Sequence, residues 1–253
     1  METTEKKDQA SESGHWYAPD GSPAYTIIGK NGKERNTTIR DARKLGLAPS
    51  VTTIMQEANK PGLNRWLAEQ YIHAALTLPR VEGETDKDLY ARIIEDANEQ
   101  AKKARERGTL IHAWVQSALE GEKIPDEAYE FYRAVLKVIP EGINFKVEQS
   151  FYYQDFNIYP YGGKVDLHCM DQEIVLDIKT TDKPLDDLKL WDEHYMQLSA
   201  YREGLGITSA KCGIIYVNSV NPEARLIWAE ESILRKGLDM FQALKAYWYA
   251  KKW

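Results

Sequence analysis

Cysteine is almost missing from this chain of 253 residues, which has only Cys169 and Cys212. They lie far apart in predicted strands and fit neither a disulfide framework nor a four-cysteine zinc or iron-sulfur site; buried, reduced thiols are expected, and no cluster. Long apolar runs are missing too. None approaches the roughly 18 residues of a membrane span, so no membrane partner is expected. The opening METTEKKDQASESG has no apolar segment, so neither a secretory signal nor an anchor is expected in it. Residues 1–14 read as a disordered tail, and a cytoplasmic compartment is expected. An excess of positive charge is also lacking: 33 Lys and Arg against 39 Asp and Glu give a net charge of -6. That argues against a general nucleic-acid coat protein. It leaves room for an enzyme acting on nucleic acid, because metal-binding carboxylates make a site acidic until cations fill it.

The composition is otherwise globular, with 43% hydrophobic and 28% charged residues, and the length suits one large core domain with a helical extension. Residues 15–140 read as a helical N-terminal portion. Turns around Gly29 to Gly32 and Pro49 come first, then helices over Leu63 to Leu76, Asp86 to Glu106, Thr109 to Leu119 and Asp126 to Val138. The Thr109 to Leu119 stretch has no formal charge beyond His112, which predicts a buried helix. From residue 141 the pattern turns to short β-rich runs: Phe145 to Tyr153, Gly163 to Cys169, Ile174 to Thr180, Lys211 to Asn218 and Arg225 to Glu230. A helix ending near Gly204 separates the third run from the fourth, and a last helix covers Ser232 to Ala250. The order βββαββα predicts an α/β core over residues 141–253, a central mixed sheet flanked by helices.

Alternation along Ile174-Val175-Leu176-Asp177-Ile178-Lys179 puts the apolar residues on one face and Asp177 with Lys179 on the other. The preceding run, Gly163-Lys164-Val165-Asp166-Leu167-His168-Cys169, joins it through Met170 to Glu173, a hairpin-length connection. With the turn centred on Asp171 and Gln172, counting outward sets Asp166 opposite Asp177, Cβ atoms roughly 5 Å apart. Two carboxylates so placed call for a cation or a shared proton. Oxygen ligands favour Mg²⁺ or Mn²⁺, as one or two ions. A lysine beside them can orient or help deprotonate an attacking water and neutralise charge on a pentavalent phosphate. The chemistry points to phosphodiester hydrolysis.

Four segments in order carry the pattern. Gly162-Gly163-Lys164-Val165-Asp166, Asp177-Ile178-Lys179-Thr180-Thr181 and Gln197-Leu198-Ser199-Ala200-Tyr201 follow one another, and Arg107-Gly108-Thr109-Leu110-Ile111-His112 precedes them. This series resembles the PD-(D/E)XK nuclease superfamily, a restriction-endonuclease-like fold, and within it the RecB-type branch of phage, recombination and mitochondrial genome-maintenance exonucleases. Pro49 to Ile54, with Leu63 and Trp66, is similar to the N-terminal part of the phage-type members. The resemblance implies catalytic roles for Asp166, Asp177, Lys179, Gln197 and Tyr201, and metal ligation by His112, Asp166, Asp177 and the Ile178 backbone carbonyl. It implies a DNA substrate with single-stranded ends favoured, a helical front portion forming a DNA passage, and a single-strand-annealing or recombination protein as partner. For phage origin the compartment becomes the host cytoplasm. Gln197 and Tyr201, four apart, share a helix face near the lysine.

Some residues have two readings. Glu148 supplies a further metal-facing acid or is an exposed edge-strand glutamate. His112 is a ligand or a hydrogen-bonded core histidine. Thr180, Thr181, Lys183, Ser50, Thr52 and Tyr201 are candidates to touch DNA, although a turn lysine such as Lys183 is usually just solvated. Trp66 and Trp191 stack on bases or sit in the core. For the whole protein, an exonuclease competes with a structure-selective endonuclease using the same site, and with a non-cleaving DNA-binding recombination or packaging partner.

Overall fold

A computed structural model of the chain describes residues 14–154 and 159–253. The expected tail, residues 1–14, lies outside these apart from Gly14. The front portion opens with short elements: β1 (Trp16–Tyr17), β2 (Thr26–Ile28), β3 (Glu34–Asn36), α1 (Ile39–Leu45), β4 (Ala48–Pro49) and α2 (Val51–Met55). The expected turn at Gly29 to Gly32 joins β2 and β3 in a hairpin, whereas Pro49 lies in strand β4, which pairs with β1 and leads into α2. Helix α3 (Pro61–Thr77) starts with proline in its first turn, where no N–H is missed.

Helix α4 corrects the sequence reading. It runs unbroken over Asp86–Leu119, through Gly108, where two helices were expected. A mid-helix glycine costs only about 1 kcal/mol. Contacts beside it offset the cost: the Arg107 guanidinium lies 5.5 Å from the Phe131 ring outside the helix and 5.6 Å from the Trp114 ring two turns on. The Thr109 to Leu119 stretch is also not buried all round. Ile111, Val115 and Ala118 face the core while Thr109, Leu110 and Ala113 are exposed. Low charge there marks the wall of a cleft as well as a core. A 3₁₀ turn (Asp126–Ala128) leads into α5 (Tyr129–Leu136).

The core is a five-stranded sheet in sequence order, β5 (Lys146–Tyr153), β6 (Tyr161–Cys169), β7 (Ile174–Thr181), β8 (Lys211–Asn218) and β9 (Ala224–Trp228). All neighbours are antiparallel except β7 and β8, which run parallel because α6 (Asp192–Gly204) crosses over between them. Helix α7 (Glu231–Lys252) closes the chain. The mixed sheet flanked by helices, with a helical N-terminal region, is the expected architecture. Two apolar layers cover the sheet. One joins Val165, Val175 and Ile214 to α2, α6 and α7 residues such as Ile54, Leu198 and Phe241; the other joins Leu167, Leu176 and Ile215 to Ile111 and Val115 of α4 and Val135 of α5. No described helix is long and apolar enough to cross a membrane.

Val165 and Leu167 belong to opposite layers although they stand two apart, which an unbroken strand forbids. On β5, likewise, Val147 packs with one layer and Phe151 with the other. Both strands turn over at the same level. Pairs Val147↔Leu167 and Gln149↔Val165 flank that level, but Glu148 and Asp166 between them form no ladder pair, and Glu148 has φ of 55°. A left-handed glutamate costs about 1 kcal/mol or more and persists where its surroundings fix it, commonly at functional sites. Because both strands slip together, the register is preserved while the faces exchange.

Candidate active site

The site grows from that interruption. The β6–β7 hairpin has the register expected from its loop: Cys169↔Ile174, His168↔Val175 and Leu167↔Leu176. The ladder stops there, one step short of Asp166 and Asp177. Instead of a paired backbone, Asp166 offers Oδ2 to the Ile178 N–H at 2.6 Å. The same oxygen lies 3.2 Å from His112 Nε2, delivered by α4. His112, Glu148 and Asp166 each offer a ligand atom, all within 4.8 Å of one another. Asp177 stands beside them, with Oδ1 accepting from Gln197 Nε2 at 2.9 Å and Oδ2 2.7 Å from Lys179 Nζ. Gln197 Nε2 also lies 2.9 Å from the Tyr201 hydroxyl, so the α6 face expected from the four-residue spacing is a hydrogen-bonded chain onto Asp177.

Small residues bring these elements together. A Cβ on Gly108 would stand 2.5 Å from Thr180 Oγ1, so glycine lets α4 ride on the end of β7 and brings His112, one turn later, over Asp166. A Cβ on Gly162 would meet the Tyr17 ring at 2.5 Å, and one on Gly163 the Phe151 ring at 2.7 Å and Tyr201 at 3.0 Å. The glycine pair before Asp166 therefore makes room for aromatic rings on β6.

The electrostatics are those of carboxylates crowded away from water. Burial, opposed by Lys179 and reinforced by Asp166, pushes Asp177 up to about 6. Burial pushes Asp166 the same way, but the His112 contact, Lys179 and the Ile178 N–H overcome it and hold the carboxyl below its ordinary value. Burial raises Glu148 despite its ion pair with Lys164. Burial lowers His112, and the hydrogen bond and charge of Asp166 outweigh it, leaving the imidazole above its usual range. Lys179 is raised, because Asp177 and Asp166 more than offset its burial. An imidazole and two carboxylates converging here, with a third carboxylate pushed toward its neutral form beside them, fit a divalent cation: His112, Glu148 and Asp166 are placed to hold it.

The site opens into a cleft of about 590 Å³ between α4 and the end of β7, lined by Arg105, Thr109, His112, Gln116, Lys179 and Thr180. A second cleft of about 600 Å³, beside Pro184, Asn218 and Arg225, holds none of the candidate residues. Of the residues singled out for DNA contact, Thr180 lines the site cleft and Thr52 is exposed. Thr181 Oγ1 caps the turn by accepting from the Lys183 N–H, and Lys183 is exposed. Ser50 is buried as the α2 cap, bonded to Thr53, and Tyr201 is buried against Phe151. Trp66 is half-buried, while Trp191 is 56% exposed with Lys189 over its ring. Lys164, Gly108 and Arg105 were not assigned from sequence. Arg105 gave no readable signal, because the sequence divides into two helices at Gly108 and only the unbroken α4 sets Arg105 seven residues before His112 on one helical face.

No family model matches the chain, and no curated protein matches it. Among solved structures it is similar to a candidate exonuclease from Eubacterium rectale, at 12% identity over 55% of this chain and 68% of that one, TM-score 0.40. An alkaline exonuclease from Laribacter hongkongensis aligns at 13% identity over 83% of this chain and 95% of that one, TM-score 0.36. A phage-related exonuclease from Haemophilus somnus aligns at 11% identity over 71% and 91%, TM-score 0.31.

Proposed function

We propose that the chain is a divalent-metal-dependent deoxyribonuclease that hydrolyses phosphodiester bonds from single-stranded ends. The observation that carries this is the meeting of His112, Glu148 and Asp166 beside the Asp177–Lys179 pair at the floor of an open cleft. The oxygen-rich donor set favours Mg²⁺ or Mn²⁺. Bound there, such a cation supplies Lewis acidity toward water and phosphoryl oxygens.

The protein's own groups do the rest. Lys179 keeps its proton, because Asp177 and Asp166 stabilise the ammonium, so it serves as a donor and a charge toward the phosphate, not as a base. Asp177 fixes that ammonium at 2.7 Å, and Gln197 and Tyr201 fix Asp177 from behind. The Ile178 N–H locks the Asp166 carboxylate, and Ile178 lines the cleft, where its backbone carbonyl would be a further ligand for the cation. DNA as the substrate, and action from an end, draw their support from the order of the sequence motifs.

Digestion of end-labelled linear and covalently closed circular DNA with Mg²⁺ or Mn²⁺ tests the reading. Lys179→Ala and Asp166→Asn are each expected to lower the rate by about 10²–10³ or more. A Lys179→Ala protein as fast as the wild type would remove the assignment, and cutting of closed circles would make the enzyme an endonuclease.

A further inference from the structure

Four cations stand close together on α4 above the cleft, and three have partners. Lys102 pairs with Glu106 at 3.7 Å and Lys103 with Glu99 at 2.9 Å. Arg107 lies over Trp114 and Phe131 and donates to the Ser219 carbonyl. Arg105 has no ion pair among the described residues. It is exposed, and it lines the cleft that holds His112 and Lys179. Positions 105, 109, 112 and 116 share one helical face, and all four border the cleft. Seven residues of helix put the Arg105 backbone about 10 Å from that of His112. Gly108, pressed on Thr180, seats this stretch of helix against β7.

We propose that Arg105 binds a DNA phosphate flanking the scissile one and so sets the register of the strand over the carboxylates. The proposal rests on the deoxyribonuclease reading. A planar guanidinium grips a phosphate through two parallel N–H donors, which a nearby carboxylate would otherwise occupy; among the described residues none does. The phosphate so held lies beside the candidate metal ligands and not among them, so Arg105 is a positioning residue. Thr109 and Thr180, on the same wall, offer hydroxyls to the same backbone.

Fluorescence anisotropy with a labelled single-stranded oligonucleotide, in the Lys179→Ala background, is the test. Adding Arg105→Ala is expected to weaken binding about tenfold and to lower the salt slope by about 0.7, the value for one fewer phosphate neutralised on a single strand. Lys103→Ala, on the far side of the helix and paired with Glu99, is expected to change affinity less than twofold. Replacing single phosphates with neutral methylphosphonates separates register from general attraction: one flanking position is expected to weaken the Arg105 protein and leave the Arg105→Ala protein unaffected. An Arg105→Ala effect no larger than that of Lys103→Ala, or equal sensitivity of both proteins at every phosphate, would overturn the proposal and leave the nuclease reading standing. If the Lys179→Ala protein bound no DNA at all, both would fall.

Discussion

Helices α3 and α6 are of similar length, 17 and 13 residues, yet α3 buries only Ala74 while α6 buries nine residues. The α6 sequence is no more apolar; its buried set includes His194, Gln197, Ser199 and Arg202. Each of these has a partner, such as Glu231 for Arg202 at 2.7 Å and the Leu234 carbonyl for Ser199. Helix α3 instead leaves Ile72 59% and Leu76 82% exposed, and the half of α4 paired with it leaves Tyr90 and Ile94 half exposed. Burial follows the neighbours a helix is given more than its composition. Helix α4 spans the two regimes: its first half belongs to the projecting hairpin, and its second half, with Ile111 and Val115, to the core. Arg105 and His112 fall where one becomes the other.

The largest effect that would test this contrast is Gly237→Ala on α7. A Cβ there meets the Tyr195 backbone of α6 at 2.6 Å, and backbone cannot swing aside. A drop in stability of about 2–3 kcal/mol is expected, seen as a fall in Tm of about 4–12 °C; an unchanged melt would mean that α6 is held no more tightly than α3. Next comes the joint between the regimes. Gly108→Ala is expected to weaken Mn²⁺ binding about tenfold by lifting α4 from Thr180. Adding Thr180→Ala removes the obstructing hydroxyl and is expected to restore affinity, so a double mutant as weak as the single one would refute the close-approach argument.

Proton linkage probes the core side on a similar scale. Burial pushes Asp177 up to about 6, and among the candidate ligands the Asp166 contact holds the His112 imidazole above its usual range, so Mn²⁺ affinity by calorimetry is expected to fall by about tenfold per pH unit once that imidazole takes up its proton. In the metal-free protein the raised carboxyl makes the folded state bind more protons than the unfolded state between 3.8 and about 6. Stability is thus expected to fall as pH rises through that window. The smallest effect belongs to the hairpin: Leu76→Ser should shift stability by no more than about 0.5 kcal/mol, with the α3 amides exchanging faster than those of α6.

Much of the core was legible. Five strands and their order follow from alternation and turn signals, and the hairpin register follows from the four-residue loop. The fusion of two expected helices at Gly108 was not, because a glycine's cost is local and its compensation, Arg107 on Trp114 and Phe131, comes from residues apart in sequence. Nor was the exchange of faces at Glu148 and Asp166. Period-two counting assumes an unbroken pleat, and a paired slip in two strands leaves their register unchanged.

The sequence by itself determined which side chains share an element and how they are spaced: Asp177 with Lys179 on one strand and Gln197 with Tyr201 on one helix. Those relations follow from backbone periodicity, which is local. Only the tertiary structure decided that the Asp166 carboxylate leaves the ladder for the Ile178 N–H, that Glu148 joins it, and that α4 comes close enough to add an imidazole. Such approaches are set by the packing of two separate cores, and no single segment encodes them.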